Sequence, residues 1–204
     1  MTSPPSGDPP YLLIVAGPNG SGKTSAYQDA DIEEAGRSVW IINPDLLAAR
    51  IRDIEGVELG QANLYAIQRI EAWLEASIRA HQTVGVETVL STAKYCRLVE
   101  MAKALGFRIR LIYVLLDNPK RNIERVRIRV KKGGHAVPED KIVERYFRSL
   151  GQMPWFLQQA DQAWLFDNSG AQPRLIGKKD VGLITLDPAA LPAIVEAVRS
   201  IQTA

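Results

Sequence analysis

The chain has 204 residues, of which 46% are hydrophobic and 24% charged. That length predicts one domain with a core large enough to fold without staples. Lys plus Arg total 25 against 23 Asp plus Glu, a net charge of +2. This excludes a generally basic nucleic-acid binder and an acidic disordered chain. The single cysteine, Cys96, excludes an intramolecular disulfide and a cysteine-based zinc site.

Met1 to Pro10 holds four prolines and two serines, so residues 1–10 are expected to be a disordered or extended tail. No basic stretch leads into an apolar one there, so a signal peptide is not expected. The apolar run at Leu12–Ala16 is too short to span a membrane. A reduced, cytoplasmic setting and no membrane partner are the resulting expectations.

From residue 11 the pattern alternates. Tyr11–Ala16 reads as a buried parallel strand. A helix is predicted over Lys23–Glu34 and a second strand over Ser38–Ile42. A short helix follows at Leu46–Ile54. Leu64, Ile67, Ile70, Leu74 and Ile78 recur at three and four, which predicts a long amphipathic helix. Thr83–Thr88 is the third strand, Ala93–Leu105 a helix, and Phe107–Leu116 the fourth strand. Lys120–Lys132 reads as a basic helix stopped by Gly133 and Gly134. Pro138 opens another helix reaching Leu150, with a further one to Gln159. Ala163–Phe166 is the fifth strand, Arg174–Leu186 a candidate β-hairpin, and Pro192–Ile201 a closing helix. The four tryptophans are expected to be core or half-buried. The pattern predicts an α/β domain over residues 11–204, with a mainly parallel five-stranded sheet, a helical lid at about 120–150 and the C-terminal hairpin.

Gly17-Pro18-Asn19-Gly20-Ser21-Gly22-Lys23-Thr24 fits the phosphate-loop pattern without a gap. Glycines let successive backbone N–H groups approach a phosphate, and the next helix presents its positive end. Gly17, Asn19, Gly20, Ser21, Gly22, Lys23, Thr24 and Ser25 are therefore the candidate ATP-binding residues. Lys23 is placed to reach the β- and γ-phosphates, and the Thr24 hydroxyl to ligate Mg²⁺. No Asn-Lys-x-Asp or Leu-Ser-Gly-Gly segment points to a GTPase or a transporter ATPase.

Ligands of an open parallel sheet sit outside the carboxyl ends of its strands. Asp45, Glu87 and Asp117 fall there. Asp45 is the candidate base toward an acceptor hydroxyl, with a helix cap as the bland alternative. Glu87 is a candidate for Mg²⁺ through water or for a substrate hydroxyl. Its alternative is a strand-end carboxylate with backbone partners. Thr88 suits a polar substrate and a turn equally. Asp117 is expected to cap the helix behind Pro119.

Between Lys120 and Lys132 there are seven basic residues and one acidic residue. Arg121, Arg125, Arg129 and Lys132 make a cationic stripe, and Ile123, Val126 and Val130 a separate apolar one. Arginines on such a lid offset charge on a transferred phosphoryl group. Arg129 and Arg145 are the first candidates, then Arg125; a solvated helix face is the alternative. His135 is expected to fix its turn. Asp167-Asn168-Ser169 suits an adenine ring or a plain strand exit.

These motifs together resemble the zeta toxin family of P-loop kinases, in its compact bacterial branch. The resemblance rests on residues 17–24, Asn43-Pro44-Asp45, Glu87-Thr88, Arg-Val-x-x-Arg-Val at 125–130, Gly-Gly-His-x-Val-Pro at 133–138, Arg145-Tyr146 and Asp167-Asn168-Ser169. It implies a P-loop three-layer fold and transfer of the ATP γ-phosphate to the 3′-hydroxyl of UDP-N-acetylglucosamine. It implies ATP and Mg²⁺ roles for Lys23 and Thr24, a base in Asp45, substrate contacts from Glu87 and Thr88, and a phosphate clamp from Arg129 and Arg145. A small antitoxin covering the nucleotide site is the partner it implies. Two other classes stay open from the residues alone. One is a nucleic-acid-linked ATPase or polynucleotide 5′-hydroxyl kinase, which the near-neutral charge disfavours. The other is a non-catalytic nucleotide-binding partner of an antitoxin.

Overall fold

The computed structural model describes residues 8–25 and 39–202. Most of the N-terminal tail and of the helix expected at Lys23–Glu34 lies outside the described residues, although Lys23–Ser25 are helical.

Seven strands form one sheet: β1 (Tyr11–Ala16), β2 (Ile41–Ile42), β3 (Val84–Thr88), β4 (Arg108–Leu115), β5 (Gln162–Asp167), β6 (Arg174–Asp180) and β7 (Leu183–Leu186). Their order is β2-β3-β1-β4-β5-β6-β7. The five strands from β2 to β5 are parallel. β6 and β7 add antiparallel. The expected hairpin is therefore part of the sheet, and the expected five strands become seven. The hairpin can join because β5 still has an open edge, and because Lys179 of β6 finds buried partners. Its Nζ donates to the Leu157 and Gln158 carbonyls at 2.8 and 2.9 Å. A cation there meets the negative end of the preceding helix.

Side chains alternate along β1. Leu12, Ile14 and Ala16 enter the larger core. Leu13 and Val15 enter the opposite face with Ile112, Val114 and Phe166. The larger core is covered by the helices Leu59–Arg79, Cys96–Ala104, Glu139–Gln159 and Pro192–Gln202. The helices Pro44–Glu55 and Leu59–Arg79 also pack on each other through Ala48, Ile51, Ala62 and Ala66. In the long helix Ile70, Leu74 and Ile78 are buried as expected, whereas Leu64 and Ile67 are exposed. Small Ala62 and Ala66 take the contact instead, since close helix approach favours small side chains.

Four further expectations need correction. The segment predicted as two helices, ending at Leu150 and Gln159, is one helix, Glu139–Gln159, with Pro154 inside it. Proline costs a helix interior ~3 kcal/mol, and burial of Met153, Phe156 and Leu157 around it offsets that. Asn118, not Asp117, caps the basic helix Pro119–Lys131, accepting from the Lys120 N–H. Asp117 instead pairs with Arg121 at 2.8 Å. Trp40 is exposed beside β2, which as the sheet edge has one strand neighbour. Val130, expected on the apolar stripe, is exposed. The basic helix makes its contact through Asn122 and Val126, one turn apart. No helix among the described residues is long and apolar enough to cross a membrane.

Candidate active site

β1 ends beneath the loop of residues 17–22, and the Gly17 N–H donates to the Thr88 carbonyl at the end of β3. The loop is held from several sides. Asn168, just past β5, donates from Nδ2 to the Ser21 carbonyl at 2.8 Å. A Cβ on Gly22 would collide with that amide, and Gly22 has φ +85°, so only glycine fits. Arg125 donates from Nη2 to the Asn168 carbonyl at 2.6 Å, which secures the same residue from the lid side.

Lys23 opens the helix after the loop and is buried. Its Nζ donates to the Gly17 carbonyl at 2.9 Å and the Pro18 carbonyl at 3.3 Å. Glu87 Oε1 lies 3.9 Å away. Burial lowers the Lys23 pKa from its ordinary value; Glu87 and Asp45 oppose that shift, and Arg129 adds to it. An ammonium held in such a place gains from a polyanion arriving beside it. The Thr24 hydroxyl donates to Glu87 Oε2 at 3.2 Å. A hydroxyl and one carboxylate are hard oxygen donors of the kind Mg²⁺ takes, with phosphate oxygens and waters completing its shell. The described residues contain no cluster of three or more His, Cys, Asp or Glu that would make an all-protein metal cage. The donor set thus fits Mg²⁺ carried in with a nucleotide.

A cleft of about 500 Å³ opens beside this pair. Asn19, Gly20, Lys23, Thr24, Asp45, Glu87 and Thr88 line it. Arg129, His135 and Arg145, from the segment expected to be a lid, line it as well. Asp45 stands in the first turn of the helix Pro44–Glu55, but the cap is Asn43, whose side chain accepts from the Asp45 and Leu46 N–H groups. That leaves the Asp45 carboxylate exposed, with no hydrogen-bond or ion-pair partner among the described residues. Thr88 is buried and its hydroxyl accepts from the Leu90 N–H at 3.1 Å, so it forms the turn and still has an O–H to donate.

The lid arginines divide. Arg129 donates from Nη2 to the His135 carbonyl at 2.8 Å, while its buried Nε has no partner among the described residues. Gly134 presses against Arg129, where any Cβ would meet Cγ at 2.6 Å. Arg145 donates from Nη1 to Asn19 Oδ1 at 3.4 Å. Arg125 does not line the cleft and instead braces Asn168. Ser25 is exposed and outside the cleft as well. Asn168 supports the loop, while Asp167 accepts from the Ser169 backbone and hydroxyl. Asn63, Ile67 and Lys94, none of them a candidate site residue from the sequence, also line the cleft. Asn63 lies one turn before Ile67 on a single helix face, which is the signal that pairs them.

A Gly-rich strand-to-helix loop, a buried lysine and a strand-end acidic residue on a parallel sheet define a P-loop α/β domain. The chain belongs to the family described as AAA domain, which matches residues 12–149. An uncharacterized Haemophilus influenzae protein is 29% identical over 139 residues, covering 66% of this chain and 91% of that protein. A crystal structure of AvrRxo1-ORF1:-ORF2 with ATP contains a similar chain, with TM-score 0.71 and 16% identity over 95% of this chain. This chain spans 64% of that one. A structure from the PezAT chromosomal toxin-antitoxin system of Streptococcus pneumoniae has TM-score 0.62 and 14% identity, covering 96% of this chain and 79% of that one. At these identities the structures establish a shared fold.

Proposed function

We propose that the protein is an ATP-dependent phosphotransferase of zeta toxin type. It would transfer the γ-phosphate to a hydroxyl of a small molecule, with UDP-N-acetylglucosamine the first candidate. The observation that carries this is the uncommitted Asp45 carboxylate, across one cleft from the Thr24–Glu87 pair and beneath Arg129 and Arg145. A carboxylate in the cleft and not engaged by the described residues can take the proton of an acceptor hydroxyl.

In the proposed reaction the loop N–H groups and Lys23 hold the β- and γ-phosphates. Mg²⁺, held by the Thr24 hydroxyl and through Glu87, would draw charge from the same oxygens. Asp45 takes the proton of the acceptor hydroxyl as its oxygen bonds to the γ-phosphorus. The bond from that phosphorus to the bridging oxygen breaks, and ADP leaves. Arg129 and Arg145 offset the charge on the moving phosphoryl group. Glu87 and Thr88 orient the acceptor. A small antitoxin seated over the cleft is the proposed partner, a reading supported by the AvrRxo1 and PezAT likenesses.

The lid's outer face disfavours the nucleic-acid reading. Arg127 pairs with Glu139 at 2.6 Å and Arg121 with Asp117 at 2.8 Å, so two of its cations are already neutralised. Labelled ATP with a panel of nucleotide sugars, nucleosides and oligonucleotides tests the assignment. Phosphorylation of a nucleotide sugar supports it. Phosphorylation of oligonucleotide 5′-ends alone, or turnover indifferent to every acceptor, rejects it.

A further inference from the structure

The basic helix Pro119–Lys131 carries one residue with no place in the reaction, the wholly buried Asn122. Its Nδ2 donates to the Asn19 carbonyl of the phosphate loop at 2.7 Å. The same contact is pressed from the loop side. A Cβ on Gly20 would stand 2.8 Å from the Asn122 carbonyl oxygen and 3.1 Å from Val126 Cγ2. Loop and helix therefore meet backbone to backbone, with one amide side chain between them.

Asn122 Oδ1 is buried and has no hydrogen-bond partner among the described residues. An orphaned buried acceptor is unfavourable; an apolar side chain would remove it but would also leave the Asn19 carbonyl without this donor. What the amide supplies is the tie to the phosphate loop, and its position on the helix gives that tie a consequence. Arg129 lies seven residues on, about two helical turns and so on the same helix face. It lines the cleft that Asn19 and Gly20 also line. Asn19 is shared a second time, since its Oδ1 accepts from Arg145.

We propose that Asn122 is a positioning residue. It registers the lid helix on the phosphate loop and so fixes where the Arg129 guanidinium meets the nucleotide phosphates. The proposal rests on the nucleotide-binding half of the function proposed above and needs no particular acceptor.

The test is equilibrium binding of a fluorescent ATP derivative to the full chain with Mg²⁺. The variants are Asn122→Leu, Asn122→Asp, Arg129→Ala and the double variant Asn122→Leu/Arg129→Ala. Ser149→Ala is the control. Ser149 is buried on the neighbouring helix, bonds Tyr113 at 3.0 Å, and does not line the cleft. Both Asn122 variants are expected to weaken binding roughly tenfold or more. Ser149→Ala is expected to lower the thermal midpoint and leave Kd unchanged. The double variant is expected to bind no more weakly than the weaker single variant, because the two residues act as one unit. Wild-type Kd in both Asn122 variants, or effects that simply multiply with Arg129→Ala, would overturn the proposal. If the variants behave as expected while no acceptor is ever phosphorylated, the phosphotransferase reading fails and the role of Asn122 stands. If the wild type does not bind the ATP derivative, both fail.

Discussion

The two sides of the cleft are built differently. On the phosphate side Asn19, Ser21 and Lys23 are buried, and the loop carbonyls of Gly17, Pro18, Asn19 and Ser21 each accept a named side-chain or backbone donor. On the acceptor side Asp45 is exposed, and the helix that carries it is capped by its neighbour Asn43. A site for an invariant polyphosphate gains from being preformed, since no ordering cost then opposes binding. A side that admits a second molecule must stay open. Under the proposed reaction, nucleotide affinity rests on the first side and proton removal on the second, so a change at Asp45 should spare ATP binding.

The largest effect is expected from Lys23→Met, which takes the ammonium out of the phosphate side. Transfer should fall by roughly a thousandfold or more, with weaker ATP binding, as measured by labelled-ATP assay and direct titration. Asp45→Asn should lower transfer by about a hundredfold while ATP affinity stays within about twofold of wild type. If the two variants lose ATP affinity equally, the division between the sides is wrong. Asn43→Ala should destabilise the fold by ~1 kcal/mol through loss of its cap, read as a urea midpoint shift. It should also reduce transfer, since it loosens the turn that aims Asp45. The smallest effect is expected far from the cleft. Arg97 and Arg79 hold the half-buried Glu75 carboxyl down at about 2. Its contribution is fully present above the ordinary carboxylate pKa and is lost as pH falls toward about 2. The urea midpoint of Glu75→Gln should therefore trail wild type slightly at pH 6, converge with it in acid, and approach it in high salt.

Some of this was legible before any coordinates. The phosphate loop is contiguous, so Gly17–Thr24 announces itself, and β1 before it is an unbroken apolar run. Asp45 and Glu87 were legible because parallel sheets place ligands at strand ends. The braces were not. Asn122 and Asn168 act on residues more than a hundred positions away, and nothing local marks a buried amide in a helix of cations. The only signal was that Asn122 lies one turn before the apolar Val126. Arg125 shows the limit of a stripe. It shares a face with Arg121 and Arg129 by count, yet it bonds the Asn168 carbonyl and does not line the cleft. The one unbroken helix through Pro154 was hidden too, because local propensity opposes what the core around Met153 and Phe156 enforces.

The hairpin lysine bears on how the lid can move. Lys179 grips the carbonyls at the C-terminal end of the helix that bears Arg145, while the basic helix is seated at Asn122. The lid is thus a span fixed at both abutments. Between those two ties, residues 133–138 are neither helix nor strand, and Gly133 has φ +87°. The antiparallel extension of the sheet is thereby tied to the helix that carries Arg145.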